Sequence, residues 1–272
     1  MKTIIVIPVY KKEMKATEKA SLAQCAKILK DFPIEIICPN GLNISNYEHI
    51  LKQYDANFSF RFLDKKFFKD VFTYSHLLLD KNFYINYENY DYMLLYQLDA
   101  WVFENSLNYW VEQGYDYIGA PWFEDPFDEN SQIIMRSGNG GLSLRNIKSM
   151  VKLLSTDYRV ILSLKEFFRK KRKRRKISNI ISAPIMFFRF LFQPDRFTPF
   201  WRNTNMFEDQ AIVIHSEFAM PEFKVAKADL NYKFSFEALP KRLYKMNNSH
   251  LPFGCHAFER YDFDFLNQFM HL

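Results

Sequence analysis

The strongest constraint on this chain is a recurrence of short apolar runs, each stopped by a turn residue and followed by a stretch of helical composition. TIIVIPV at residues 3–9 is β-branched and runs into Tyr10; PIEIICPNG at 33–41 closes in a turn. NFSFRFL at 57–63 alternates as a half-buried strand should, and YDYMLLYQLD at 90–99 is again continuous. Such runs are short for a helix and rich in β-branched and aromatic residues, so they predict strands, the continuous ones covered on both faces. Residues 13–31, with Ala, Leu, Lys and Glu and neither glycine nor proline, predict a helix, as do 71–81 and 105–113. YDYIGAPW at 115–122 reads as a further strand. GNGGLSLR at 138–145 turns from glycines into another strand, with a helix at 146–154. Alternation of strand and helix through the first 120 residues predicts an α/β, mainly parallel sheet flanked by helices. There is no internal repeat and no linker, so the expectation is a single domain.

Sheets of this class bind ligands at the carboxyl ends of their strands. Three such ends collect unusual residues: Pro8-Val9-Tyr10, Pro39-Asn40-Gly41 and Gln97-Leu98-Asp99-Ala100-Trp101. A carboxylate closing a buried strand belongs at the mouth of a crevice, because an unpaired charge in the core is costly. Val9-Tyr10-Lys11-Lys12 is neither a P-loop nor a dinucleotide fingerprint. Nucleotide phosphates bound here would need another counter-charge, commonly a divalent cation held by oxygen ligands.

Three later segments carry further candidates. Ser137-Gly138-Asn139-Gly140-Gly141 holds three of only seven glycines. It is either a tight turn or a place where backbone approaches a ligand. Glu208-Asp209 precedes the apolar run AIVIH. Acids suit the first turn of a helix, and a carboxylate can also take a proton from an attacking hydroxyl. His256, in LPFGCHAF, is either packed between Phe253 and Phe258 or a ligand for a metal or phosphate. His250 is a weaker rival and His215, in an apolar run, reads as core. Trp101 and Trp122 suit either the core or the face of a sugar or base. Tyr10 and Asn40 are placed for a uracil or ribose contact, and the acidic loop of Glu124, Asp125, Asp128 and Glu129 faces solvent or an acceptor.

The formal charge of +6 is concentrated in RKKRKRRK at 169–176; without these eight residues it would be −2. The run is flanked by VILSLKEFF and ISNIISAPIMFFRFLF. Clustered cations beside apolar residues suit an anionic membrane surface; a solvated loop and nucleic-acid binding stand beside that reading. No apolar stretch reaches the roughly 18 residues of a membrane span. The N-terminus reads as a first strand and not a secretory signal. Three cysteines without metal-ligand spacing argue for a reducing compartment.

Together these segments resemble the GT-A nucleotide-sugar glycosyltransferases, and among them a little-characterised bacterial family of glycosyltransferase-like domains. The resemblance rests on Gln97-x-Asp99, YDYIGAPW, GNGGLSLR, Glu208-Asp209 and PFGCHAF, and covers most of the chain apart from residues 157–203. It implies a GT-A, Rossmann-like core at 1–156, a basic and aromatic insertion at 157–203, and the acceptor side at 204–272. It implies that Asp99 stands for the first acid of an Asp-x-Asp metal motif, with Trp101 in place of the second. Asp99 and His256 would then hold Mn²⁺ or Mg²⁺. The implied nucleotide contacts are Pro8, Val9, Tyr10, Asn40, Gln97, Asp99 and Trp101. Trp122, Asn139, Gly140 and Gly141 would contact donor or acceptor sugar. Asp209 would be the base, with Glu208 orienting hydroxyls; Arg145 or Lys245 would meet phosphate charge if no metal binds.

The resulting expectation is an inverting hexosyltransferase using a nucleotide sugar, UDP-linked, on a cell-surface glycan such as lipopolysaccharide or capsule, or on a lipid-linked acceptor. It would be cytoplasmic and peripheral at the inner face of the membrane. Three alternatives remain open: a nucleic-acid-binding protein using 169–176, an inactive membrane scaffold, and a nucleotidyltransferase. The last normally needs a basic phosphate loop after the first strand.

Overall fold

Alternation within each strand separates two cores. In β1 (Thr3–Pro8), Ile5 and Ile7 face one side of the sheet and Ile4 and Val6 the other. In β4 (Tyr92–Tyr96), Leu94 and Tyr96 join the first set, and Met93 and Leu95 the second. The first face is covered by helices α1 (Ala16–Ile28), α2 (Ser45–Gln53) and α5 (Leu107–Glu112). The second is covered by α3 (Val71–Leu78), α4 (Lys81–Ile85), α6 (Ile147–Ser155) and the helix Glu208–Ala219. Each buried aliphatic or aromatic side chain contributes about 1.5–3 kcal/mol, which makes helices on both faces the stable solution. The computed structural model describes residues 1–161 and 197–270.

The six-stranded sheet also contains β2 (Ile34–Pro39), β3 (Phe58–Leu63), β6 (Tyr117–Gly119) and β9 (Leu142–Asn146). Its order is β3-β2-β1-β4-β9-β6. β1 runs parallel to β2 and β4, and β2 to β3, while β9 is antiparallel to β4 and β6. The expected mainly parallel sheet is therefore present, in one α/β domain. The chain moves outward from β1 through β2 to β3, then returns to place β4 on the other flank of β1. Connections diverge between β1 and β4, and that switch point opens a crevice at their carboxyl ends.

A second, three-stranded sheet brings distant sequence to this crevice. β5 (Trp101–Val102), β12 (Ser235–Phe236) and β13 (Gly254–Cys255) pair in the order β12-β13-β5. Between them lie β7 (Trp122–Phe123), β8 (Ile133–Ile134), β10 (Arg159–Ile161) and β11 (Phe197–Pro199). The antiparallel β10–β11 pair brings together the two ends of residues 162–196. The basic run 169–176, its second apolar flank 177–192 and most of the expected insertion lie outside the described residues.

Some elements differ from the sequence pattern for identifiable reasons. The helix expected at 71–81 is two helices, because the Asp80 side chain accepts from the Asn82 N–H at 2.9 Å and caps a new one. YDYIGAPW breaks into β6 and β7 across Ala120-Pro121. Helix α2, which lies outside the elements expected from the sequence, buries Tyr47 and Leu51, one turn apart on a single face.

Candidate active site

After β4 the chain makes a tight turn, with the Ala100 N–H donating to the Gln97 carbonyl at 2.9 Å. The turn leaves Gln97 and Asp99 in the crevice and carries Trp101 into β5, opposite Cys255. Trp101 is 5% exposed and packs edge-on against Phe258, so the expected nucleotide contact is corrected: it is core. Gln97 and Asp99 therefore share the turn, and Trp101 stands outside it.

His256 leaves the end of β13 directly opposite this turn. Its Nε2 lies 3.2 Å from Gln97 Oε1 and 3.3 Å from Asp99 Oδ1. Its Nδ1 lies 3.2 Å from Glu237 Oε1. Burial alone would lower the imidazole, but hydrogen bonds and charge from Asp99 and Glu237 push it up to about 10. For Asp99, burial acts upward, yet His256 outweighs it and holds the carboxyl below its usual range. Asp99 keeps 44% of its side chain exposed and faces the cavity. Ala257, next to His256, has a left-handed φ of 50°, a strained conformation for a residue with a Cβ.

Glu208 and Asp209 open the helix Glu208–Ala219 across the cleft. Glu208 binds Arg145 Nη2 at 3.0 Å and lies 3.3 Å from Ser75 Oγ. Arg145, fully buried, also donates to the Tyr84 hydroxyl at 2.9 Å and to Ser143 Oγ at 3.0 Å, and its guanidinium lies 5.3 Å over the Tyr117 ring. Glu208 is therefore locked into a buried ion pair, which leaves it poorly placed to orient substrate hydroxyls. Arg145 does not line the cleft, and Lys245 is exposed elsewhere, so neither meets phosphate charge there. Asp209 is part-buried; its Oδ2 accepts from the Gly140 N–H at 3.2 Å and its Oδ1 from the Gln210 N–H at 2.7 Å. Burial, with the charges of Glu208 and Glu237, pushes Asp209 up to about 7.

The glycines of GNGG serve close packing. A Cβ on Gly140 would collide with Glu208, and one on Gly141 with the His256 ring. Both glycines face the cavity together with Asn139 and Trp122.

Two hollows make up the cleft. One, of about 600 Å³, is lined by Asp209, Glu208, Gly140, Gly141, Trp122 and His256 among others. The second, of about 580 Å³, is lined by Pro8, Val9, Tyr10, Lys11, Lys15 and Lys69 with their neighbours. Val71, Tyr74, Gln97, Asp99 and Glu259 border both. Thus the residues expected from the first and fourth strands, from the glycine segment and from Glu208-Asp209 share one cleft. Asn40 lines neither hollow, because β2 lies away from the switch point. Sequence reasoning missed Glu237, the three lysines and Tyr74. His215 is part-buried, its ring tilted against Phe200 with centroids 4.0 Å apart and its Nδ1 3.1 Å from the Tyr158 hydroxyl, while His250 is exposed.

A divalent cation fits the turn in part. Among the described residues no three His, Cys, Asp or Glu side chains are disposed to hold a metal. However, Asp99 Oδ1 and Gln97 Oε1 both stand 3.2–3.3 Å from His256 Nε2, close to the ~3 Å spacing of neighbouring donors on an octahedral ion. One carboxylate suffices where substrate phosphates supply the rest. A cation here would compete with the ring proton of His256.

A protein-family model described as "Protein of unknown function (DUF5672)" matches residues 57–256. No curated protein sequence matches the chain. In structure, mouse xyloside xylosyltransferase 1 is similar with a TM-score of 0.52 and 10% identity, over 94% of this chain and 97% of that one. The WbbM bifunctional glycosyltransferase is similar with a TM-score of 0.47 and 11% identity, over 94% of this chain. This chain spans 45% of that protein's length. Core-mannan synthase A of Aspergillus fumigatus, in its Mn/GDP form, is similar with a TM-score of 0.43 and 9% identity, over 85% and 72% of the two chains. The xylosyltransferase likeness carries the fold assignment and nothing finer.

Proposed function

The chain belongs to the DUF5672 family of proteins of unknown function, and we propose that it is an inverting glycosyltransferase. It would move a hexose from a nucleotide sugar, UDP-linked, to a hydroxyl of a cell-surface glycan or lipid-linked acceptor. The observation that carries this reading is the two-part cleft: lysines at one end, Asp209 at the other, and the Gln97–Asp99 turn at their junction.

The nucleoside would occupy the hollow beside Tyr10, where Lys11, Lys15 and Lys69 attract phosphate. The sugar would lie against Trp122, Asn139 and Gly140-Gly141. Asp209 would take the proton of the acceptor hydroxyl as its oxygen bonds to the anomeric carbon. The bond from that carbon to the diphosphate oxygen breaks at the same time, and the nucleoside diphosphate leaves with the electron pair. Attack opposite the leaving group inverts the anomeric configuration. A carboxyl near 7 suits this duty, since a base works best when its pKa is close to the operating pH. Gln97, Asp99 and His256 are the residues that would hold Mn²⁺ or Mg²⁺, whose chemistry is to neutralise charge on the leaving diphosphate. The stacked pair Phe72–Phe207, with ring centroids 5.2 Å apart beside Asp209, would offer the acceptor an aromatic face. Residues 157–203 would hold the enzyme on an anionic membrane surface. Flotation with anionic vesicles, lost when 169–176 is neutralised, is the expected result.

A thermal-shift panel of nucleotide sugars with and without Mn²⁺ tests the central claim. Stabilisation by one donor, followed by transfer that Asp209→Asn abolishes, is expected. Absence of any donor effect, or near-normal turnover by Asp209→Asn, would remove the assignment of donor or base respectively.

A further inference from the structure

We propose that the exposed apolar face of the helix Glu208–Ala219, with Val71 and Phe72 beside it, is a docking surface for an anionic lipid bilayer that turns the mouth of the cleft toward the membrane. This rests on the membrane part of the proposed function and not on the transfer chemistry.

The face follows from helical spacing. Ala211, Ile212, Val213 and Ser216 are buried, while Phe207, Ile214 and Phe218 are 37%, 43% and 65% exposed. Steps of seven and four residues are close to whole numbers of turns, so these three side chains form one stripe. Phe207 stacks on Phe72 with ring centroids 5.2 Å apart, and Phe72 and its neighbour Val71 are themselves half-exposed. Apolar side chains exposed singly are ordinary; a contiguous row of them marks an interaction surface. Val71 borders both hollows and Phe207 the one that holds Asp209, so the stripe starts at the cleft mouth.

Two observations say what covers it. Lys65, Lys66 and Lys69, all exposed, lie on and after the turn Lys65–Phe68, directly ahead of Val71. The acids among them cap local turns: Asp64 accepts from the Lys66 N–H at 2.9 Å and Asp70 from the Thr73 N–H at 2.8 Å. Three lysines against two aspartates leave this end of the stripe cationic. At its flank, the β10–β11 pair holds the two ends of residues 162–196. Tyr158 and Phe200, which adjoin that pair, both contact His215, the residue after Ile214. The eight consecutive cations of 169–176 are therefore tethered beside the same helix. Cations attract anionic headgroups and apolar side chains enter the headgroup boundary, and the two together give a surface its hold on a bilayer. A second copy of the chain would bring the same cations and be repelled. With this face on the bilayer, the hydroxyl of a lipid-linked acceptor would meet Asp209 from the membrane side.

The test uses the full chain and phosphatidylcholine vesicles with and without phosphatidylglycerol. Cys25, Cys38 and Cys255 are buried, so an environment-sensitive fluorophore can be placed on Phe218→Cys alone. Its emission should shift to the blue on addition of the anionic vesicles, and should not shift with phosphatidylcholine alone. A fluorophore on Tyr109→Cys, a similarly exposed position on α5 at the opposite face of the sheet, should not respond to either. In flotation, Ile214→Ser/Phe218→Ser should bind the anionic vesicles at least about 10-fold more weakly than the wild type, and Tyr109→Ser as the wild type does. Wild-type flotation of the double variant, or equal shifts from the two labelled positions, overturns the proposal; if the double variant does not fold, the labelled Phe218→Cys chain decides. Blue emission from that chain before vesicles are added also overturns it, because protein then covers the face, and size-exclusion chromatography tells a second copy from the chain itself. A wild type that binds no vesicles removes this surface and the membrane reading together. Donor binding and turnover, measured without vesicles, decide the transferase reading separately.

Discussion

Arg145–Glu208 and His256–Asp99 are both cation–carboxylate pairs placed around one cleft, and they differ in what surrounds them. Arg145 and Glu208 have side chains 0% and 8% exposed, and each nitrogen of the guanidinium has a partner among Tyr84, Ser143, Gly140 and Glu208. His256 is 10% exposed, but its partner Asp99 is 44% exposed and borders both hollows. A saturated pair has nothing left to offer a ligand, whereas a half-open carboxylate beside a fixed imidazole does. Residue type alone does not separate scaffold from site; the unused bonding capacity that faces the cavity does.

The contrast is broken most directly by removing Arg145. Arg145→Met leaves Glu208 as a buried charge without its counter-ion, a loss of about 3–5 kcal/mol. Urea denaturation checks it, and Arg145→Met/Glu208→Gln should recover part of the loss. A single variant within about 1 kcal/mol of wild type would put the two pairs in the same class.

Next in size is Asp209→Asn, for which turnover should fall by about 10²- to 10⁴-fold. In the wild type, kcat/KM should rise with pH through about 7, because the base must be ionised. The variant should lose that limb. The stability effect has a defined sign. A carboxyl held above its unfolded value binds a proton in the folded state that the unfolded chain has released, so stability falls as pH rises from about 4 to about 7. Asp209→Asn should flatten the decline over that window.

Asp99→Asn sharpens the comparison from the open pair. Its midpoint of unfolding should move far less than that of Arg145→Met, while stabilisation by UDP with Mn²⁺ disappears. His256 gives the matching pH test. A histidine raised to about 10 adds stability that is complete below about 6.5 and is lost as pH rises through 10. His256→Gln should remove that upper decline, read from thermal midpoints across pH.

The closed pair and the open pair were also unequally visible in the sequence. β1 and β4 stand out as continuous apolar runs, and the glycine segment and Glu208-Asp209 stand out by composition. Asp99 stands out because an acid ends a buried strand. The Gln97-x-Asp99 spacing is legible, but the place of Trp101 is not, since only the turn after Gln97 and the pairing with β13 show that Trp101 belongs to β5. Asn40 looked equivalent to Tyr10 until strand order placed the switch point between β1 and β4. Glu237 directly follows a two-residue strand with no pattern of its own, and its neighbour His256, 19 positions on in sequence, is set beside it by the pairing of β12 with β13. Arg145 carries a charge at a strand position that faces the core, and nothing local announces its tie to Glu208.

The smallest effect separates two tyrosines of the same framework. The Tyr84 hydroxyl accepts from Arg145 Nη1 at 2.9 Å and donates to the Leu78 carbonyl at 3.1 Å. The Tyr74 hydroxyl is buried without a hydrogen-bond partner among the described residues, although its ring borders both hollows. Removing a bonded hydroxyl strands its partners and costs about 1–3 kcal/mol, whereas removing an unbonded one relieves desolvation. Tyr84→Phe should therefore destabilise the protein. Tyr74→Phe should leave it unchanged or raise its stability by up to about 1 kcal/mol. Chemical denaturation of the two variants side by side decides the point. Equal losses would mean that Tyr74 is bonded in solution, and the boundary between the two hollows would then belong with the saturated scaffold around Arg145, not with the open site at Asp99.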